Sequence, residues 1–221
     1  MGYKYVFMDL DGTITEPVMG ITNAYMYALS KLGIEVKDRA ELHQLIGPPL
    51  RQSFSKYYGF SEEDTETAVK YYREYYSERG LEENDIMPGI SEALETLKKT
   101  GCKIYVATSK PEEYAVRILQ NVGLDGYFDY IAGASMDSSR DNKIAVMQYL
   151  LEHIAEVEGD VDISDIVMVG DRWHDIDGAN HFNMDSIGVT FGYGDRKELT
   201  DYGATYIVDS AQEMVDIILA P

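Results

Sequence analysis

Six short apolar runs, most of them separated by a helical stripe, constrain this chain more than any other feature. They fall at 3–9 (YKYVFMD), 102–108 (CKIYVAT), 128–133 (FDYIAG), 165–170 (DIVMVG), 184–190 (MDSIGVT) and 205–208 (TYIV). Several are continuous rather than alternating, which is the pattern of strands covered on both faces and therefore of a parallel sheet. Parallel neighbours need crossovers, and the intervening segments supply helices. In 89–100, Ile90, Leu94 and Leu97 recur at i, i+4 and i+7, two lysines close the last turn and Gly101 supplies the stop. In 111–122, Pro111 opens the first turn and Ala115, Ile118, Leu119 and Val122 form a stripe; in 141–154 Ile144, Met147, Leu151 and Ile154 do the same. The order predicts an α/β fold, a three-layer, Rossmann-like parallel sheet with right-handed crossovers.

Residues 16–86 break that rhythm. They hold no convincing strand, but they carry helical patterns at 19–32, 38–46, 50–58 and 61–79. The last is entered through Ser61, has acidic residues in its first turn and puts Val69, Tyr72 and Tyr76 on one side. The expected organisation is a core domain of residues 1–15 and 87–221 interrupted by a helical cap domain, 16–86, with Pro17 and the NDIMPG stretch at 84–89 as hinges. Many of the 18 tyrosines fall in this insert, where half-buried helix faces account for them better than a base-stacking platform does.

The formal charge is −20, from 39 acidic and 19 basic residues. With no Lys/Arg-rich run, such a chain repels phosphate backbones and anionic lipid, so neither nucleic acid nor a membrane is expected as a partner. No apolar run approaches the ~20 residues of a membrane span, and the N-terminus does not read as a signal peptide. The single cysteine, Cys102, excludes an internal disulfide and reads as a buried small hydrophobe, which fits a cytoplasmic location. Oligomeric state is not legible.

In open α/β sheets ligands bind outside the carboxyl ends of the strands, and there the polar residues of this chain collect. The first run ends in Asp9-Leu10-Asp11-Gly12-Thr13, the second in Thr108-Ser109-Lys110, and the fourth in Gly170-Asp171 with Asp175 four residues on. Lys143 falls in the first turn of the 141–154 helix. Carboxylates gathered at one sheet edge repel one another unless a cation or proton is present, which suits a hard, oxygen-seeking ion such as Mg²⁺ held by Asp9, Asp171 and Asp175. Taken singly, Asp9 and Asp11 could form a turn and Asp171 an N-cap. A lysine in a helix's first turn opposes the macrodipole, a penalty that a bound anion reverses; a solvated surface lysine is the plainer alternative. Thr108 and Ser109 offer hydroxyl and N–H donors to a phosphoryl oxygen, or simply cap a helix. Lys110 receives no role, and His174 and His181 read as rim or surface residues.

These residues, in this order, resemble the four motifs of the haloacid dehalogenase superfamily in its phosphatase branch: Asp9-x-Asp11-Gly12-Thr13, then Thr108, then Lys143, then Gly170-Asp171-x-x-x-Asp175. The insert is similar to that superfamily's helical cap. ATSKP, SRDNKIAV, GDRWHDIDGA, GVTFGYGDRKEL and, in the insert, IGPPLRQSF resemble the phosphoglycolate phosphatase and 5′-nucleotidase-like members. The resemblance implies Mg²⁺-dependent hydrolysis of a small phosphomonoester through an aspartyl-phosphate. Asp9 would be the nucleophile and Asp11 the acid and base. The metal would be held by Asp9, the Asp11 carbonyl and Asp171, with Asp175 as ligand or behind one, and Thr108, Ser109 and Lys143 would hold the phosphoryl group. Asp11 argues against dehalogenation, because a halide leaving group needs no proton. A phosphomutase shares every motif. A receiver-like phosphoacceptor domain is about half as long and lacks the insert. The residues at 46–54 are candidates for substrate choice, with Arg51 either pairing a second anionic group or serving as a solvated helix residue.

Overall fold

A computed structural model describes residues 2–46, 50–137 and 139–220. In chain order the elements are β1 (Tyr5–Met8), β2 (Thr15–Glu16), α1 (Val18–Lys31), a 3₁₀ helix (Arg39–Leu45), α2 (Leu50–Tyr58), α3 (Glu62–Tyr75), a π-helical turn (Tyr76–Gly80), β3 (Asp85–Ile86), α4 (Ile90–Lys99), β4 (Lys103–Pro111), α5 (Glu112–Asn121), β5 (Tyr130–Ala134), α6 (Lys143–Glu158), β6 (Ile166–Gly170), α7 (Trp173–His181), β7 (Asp185–Val189), α8 (Arg196–Asp201), β8 (Tyr206–Val208) and α9 (Ala211–Ile218). The chain divides into two compact units, Met1–Glu16 with Ile86–Pro221, and Pro17–Asp85.

The first unit is built on a six-stranded sheet of order β5-β4-β1-β6-β7-β8, parallel throughout. Its strands are the six apolar runs, trimmed by a residue or two at most ends. Alternation along the strands decides which layer each side chain enters. Phe7, Tyr105, Ala107, Ala132 and Met168 join Val146, Met147, Leu150 and Ile154 of α6 in one buried cluster. Val6 and Met8, fully buried as well, point to the other layer, where α4 packs on β4 and on α9. Right-handed crossovers account for the split: the chain moves outward from β1 to β4 and β5, then returns past β1 through α6 and continues the other way. The side on which successive strands are added therefore reverses beside β1, and the carboxyl ends of the neighbouring strands β4, β1 and β6 lie side by side.

Three core helices, α7, α8 and α9, lie outside the helical segments expected from the sequence. Helices α7 and α8 are short, and the buried face of α7 holds Asp175 and Gly178 beside Ile176 and Ala179 rather than a continuous apolar stripe. The stripe of α9, Ala211, Met214, Val215 and Ile218, is legible at i, i+3, i+4 and i+7.

The second unit packs its aromatic residues on one another. The Tyr25 ring lies 5.1 Å from Phe54 and 4.9 Å from Tyr72, so these tyrosines form a core. The helix expected over 61–79 stops at Tyr75 and widens into the π turn. The cause is a close approach: a Cβ on Gly20 of α1 would lie 2.2 Å from the Gly80 carbonyl oxygen. The 38–46 segment is 3₁₀ rather than α, capped by Asp38, whose carboxylate accepts the Ala40 N–H. At the junction the chain forms two short strands, β2 and β3, that pair with each other. No helix among the described residues is long and apolar enough to cross a membrane.

Candidate active site

Each candidate side chain leaves the carboxyl end of a strand or the helix that follows it. Asp9 follows Met8 directly and donates its N–H to the Val169 carbonyl, so the turn after β1 is fastened to β6 (2.9 Å). Gly12 then adopts φ +82°, a conformation that an L side chain rarely takes, and Ile14 and Thr15 both donate back to the Leu10 carbonyl (2.9 Å each). The result is a tight loop that leaves the Asp9 side chain buried and Asp11 partly exposed.

Lys143 opens α6 behind the cap Asn142, whose side chain accepts the Ala145 N–H. It is no surface lysine: its side chain is 2% exposed. The ammonium lies 2.8 Å from Asp9 Oδ1 and 2.8 Å from Asp175 Oδ1, and it donates to the Ala107 carbonyl at 2.6 Å. The anions that relieve its place at the helix N-terminus are thus carboxylates of the protein. Asp175 also accepts the Arg172 N–H at 3.1 Å and so closes the first turn of α7, whose N-cap is Arg172 rather than Asp171. A Cβ on Gly170 would strike the Asp175 carboxyl at 2.2 Å, so only glycine lets that carboxylate tuck beneath the end of β6.

The site holds more acid than base. Asp9, Asp171 and Asp175 are buried, and Lys143 is the ammonium set against two of them. Burial pushes Asp175 up, but Lys143 and His174 overcome it and hold its carboxyl well below the usual range. Burial draws Lys143 down, and Asp175 with Asp9 reverses this to a net rise. The surplus falls on the other two acids. Burial raises Asp9, and Lys143 only partly offsets it. Burial together with Asp175 and Asp9 pushes Asp171 up to about 8. One oxygen of Asp171 accepts the Tyr193 N–H at 2.7 Å, while the other, Oδ1, is buried with no hydrogen-bond partner. Three buried carboxylates outnumber the Lys143 ammonium and the His174 imidazole set against them, and one carboxylate oxygen, Asp171 Oδ1, is buried without a partner: this donor set fits a divalent, oxygen-seeking cation.

Asp9, His174 and Asp175 also bring ligand atoms within 4.8 Å of one another, but the Lys143 ammonium already lies against both carboxylates there. His174 is partly exposed, as expected of a rim residue, but one ring nitrogen turns inward. Its Nδ1 is buried and lies 3.3 Å from Asp175 Oδ1; burial lowers this imidazole, and Asp175 more than compensates. His181 is exposed.

Thr108 is buried and accepts the Lys110 N–H at 3.2 Å, whereas Ser109 is exposed. Lys110, to which the sequence assigned nothing, places its ammonium 2.7 Å from Asp11. The two are 99 residues apart in the chain, and their only local sign is that Lys110 lies two residues after Thr108 near the end of β4. Tyr193 was also missed, and its one signal is the Gly-Tyr-Gly of the GVTFGYGDRKEL stretch. Arg51 belongs to the other unit, where it is exposed and its guanidinium forms a two-point pair with Glu66 at 2.5 and 3.0 Å. Gly47, Pro48 and Pro49, part of the segment proposed for substrate choice, lie outside the described residues.

A family model for haloacid dehalogenase-like hydrolases matches residues 6–189, which takes in Asp9, Asp11, Thr108, Ser109, Lys143, Asp171 and Asp175. The chain belongs to that family. Among curated proteins it is 40% identical over 204 residues to a 5′-nucleotidase of Pseudomonas aeruginosa, covering 92% of this hydrolase and 90% of the relative. It is 37% identical over 208 residues to the tyrosine-protein kinase PtkA of Mycobacterium tuberculosis, covering 94% of this chain and 69% of that one. Among solved structures, a Clostridium difficile protein to which a phosphatase function has been provisionally assigned superimposes with a TM-score of 0.92 at 43% identity, covering 99% of this chain and all of the other.

Proposed function

We propose that this hydrolase is a Mg²⁺-dependent phosphomonoesterase that works through an aspartyl-phosphate on Asp9. The observation that carries the reading is the charge balance: three buried carboxylates, one ammonium and one orphaned Asp171 oxygen at a single strand edge. Asp9, the Asp11 carbonyl and Asp171 would hold the cation, with Asp175 as a further ligand or behind one. When bound, the cation would neutralise the surplus charge and draw electron density from the phosphoryl oxygens. The Asp9 carboxylate attacks phosphorus, an O–P bond forms, and the ester P–O bond breaks. Asp11 gives its proton to the departing alkoxide, then takes one from the water that attacks the acyl phosphate, which releases inorganic phosphate and restores Asp9. Thr108, Ser109 and Lys143 bind the phosphoryl oxygens, and Lys110 pairs with Asp11 after Asp11 has given up its proton, before it takes one from the water.

Nucleoside 5′-monophosphates rank first as substrates, because the 5′-nucleotidase relative is 40% identical whereas the phosphoglycolate phosphatase of Vibrio parahaemolyticus is 25% identical. A phosphate-release screen over nucleoside monophosphates, phosphoglycolate and sugar phosphates, with and without Mg²⁺, tests the reading. Activity should require the cation and vanish in Asp9→Asn; normal turnover by that variant would sink the mechanism. The kinase name of the mycobacterial relative makes the direction of transfer a second readout. Incubation with ATP and a tyrosine peptide should yield free phosphate or nothing, not phosphotyrosine. A phosphomutase would instead show turnover that depends on a bisphosphate primer.

A further inference from the structure

The Gly192-Tyr193-Gly194 stretch has no part in the reaction above, yet it is wrapped around Asp171. A Cβ on Gly192 would lie 2.4 Å from the Asp171 carboxylate and 2.4 Å from the Gly12 carbonyl oxygen, and one on Gly194 would lie 1.9 Å from the Asp171 carbonyl oxygen. Both glycines therefore serve close approach. Between them, the Tyr193 N–H donates to Asp171 Oδ2 at 2.7 Å, which leaves Oδ1 as the oxygen without a partner. The Tyr193 ring passes beside Gly12, where an added Cβ would meet it at 2.8 Å, and its hydroxyl donates to Glu16 Oε1. Burial and the Glu16 carboxylate both push this phenol far above its usual value, so it remains a donor. Glu16 is the second residue of β2 and the last of its unit before the insert begins at Pro17.

We propose that Tyr193 is a positioning residue that ties the strand leading into the insert to Asp171, its hydroxyl holding Glu16 and its N–H holding one carboxylate oxygen so that the other faces the cation. The two contacts belong to one residue, so a shift of Glu16 is passed to Asp171 through a single peptide unit and a rigid ring. Ligating carboxylates are commonly oriented by such hydrogen bonds, and removal of these bonds weakens metal affinity by roughly 10–100-fold. By linkage, whatever displaces Glu16 alters cation affinity, and the cation biases Glu16 in return. The inference rests on the metal reading of Asp171 given above.

The test is calorimetric titration of Mg²⁺ into the purified full chain without substrate, for the wild type, Tyr193→Phe, Glu16→Met, the double variant and Asp171→Asn, with melting curves to show that each is folded. Tyr193→Phe keeps the ring and the N–H, and Glu16→Met removes the acceptor and so cuts the same bond from its other end. Each single change should weaken Mg²⁺ binding by roughly 10-fold, the double variant should be no weaker than the weaker single one, and Asp171→Asn should bind no Mg²⁺. Wild-type affinity in both single variants, or losses that multiply in the double, overturns the coupling while Asp171→Asn still upholds the metal site. A wild-type protein that hydrolyses esters but takes up no Mg²⁺ overturns the metal reading and this inference with it.

Discussion

Lys143 shows at the scale of one residue how much a buried charge depends on its partners. It balances Asp9 and Asp175 at 2.8 Å each, so Lys143→Met leaves two buried carboxylates facing a thioether. Breaking a buried pair from one side costs about 3–5 kcal/mol. Urea unfolding at neutral pH should show a loss of that order, shrinking as acid protonates the carboxylates, and phosphate release should vanish. Asp171 gives a prediction in pH. Its carboxyl is pushed up to about 8 in the folded chain from the ordinary 3.8, so between those values the folded state keeps a proton that the unfolded chain has lost. Stability of the metal-free protein contributed by this group is therefore greatest in acid and falls as pH rises through that window, by up to about 1.4 kcal/mol per unit. A cation must displace the same proton. Mg²⁺ affinity should fall by up to ~10-fold per unit below pH 8, which calorimetry in buffers of different ionisation heat would show as proton release; pH-independent binding between 6 and 8 would contradict it. Asp175, held low, stabilises in the opposite sense, and its contribution is lost only on acidification below 3.8.

At the scale of elements, the first turns of α6 and α7 carry Lys143 and Asp175 into the site. The Asn142 side chain accepts the Ala145 N–H at 3.0 Å and caps α6, and the first residue behind that cap is Lys143. Asn142→Ala should cost about 1 kcal/mol, read as a lower Tm, and should lower kcat more than it raises KM if it lets the first turn fray. A change in KM alone would mean that the cap acts only on substrate binding. Helices α4, α5 and α6 and all six strands of the sheet were legible in the sequence, although the buried face of α6 is Val146, Met147, Leu150 and Ile154, with Ile144 and Leu151 of the expected stripe only partly buried. Helix α7 was not, since its inner face is made of Asp175, Ile176, Gly178 and Ala179. Its acidic and glycine positions answer to the site beside it rather than to a hydrophobic stripe. The π turn after α3 was hidden for a similar reason: Gly20 and Gly80 meet only once both helices are packed.

At the scale of the molecule, the two compact units have separate cores, and Trp173, the chain's single tryptophan, lies in the unit that carries the sheet. Tryptophan fluorescence therefore follows that unit, while far-ultraviolet dichroism follows both. Saturating Mg²⁺ should raise the fluorescence midpoint more than the dichroism midpoint, with a gain of about 2.7 kcal/mol at a hundred times Kd. Equal shifts by both probes would mean that the units unfold together. What the sequence by itself determined was the parallel α/β core, the helical insert and the presence of Asp9, Asp11, Thr108, Asp171 and Lys143 at strand and helix ends. Those follow from periodicity and local punctuation, which are properties of neighbouring residues. What only the tertiary structure decided was who stands beside whom: Lys143 between Asp9 and Asp175, Lys110 against Asp11, and Tyr193 bridging Asp171 and Glu16. Each of these meetings is set by strand order and crossover, and the hydroxyl bond of Tyr193 spans 177 residues of chain, so nothing local in the sequence announces it.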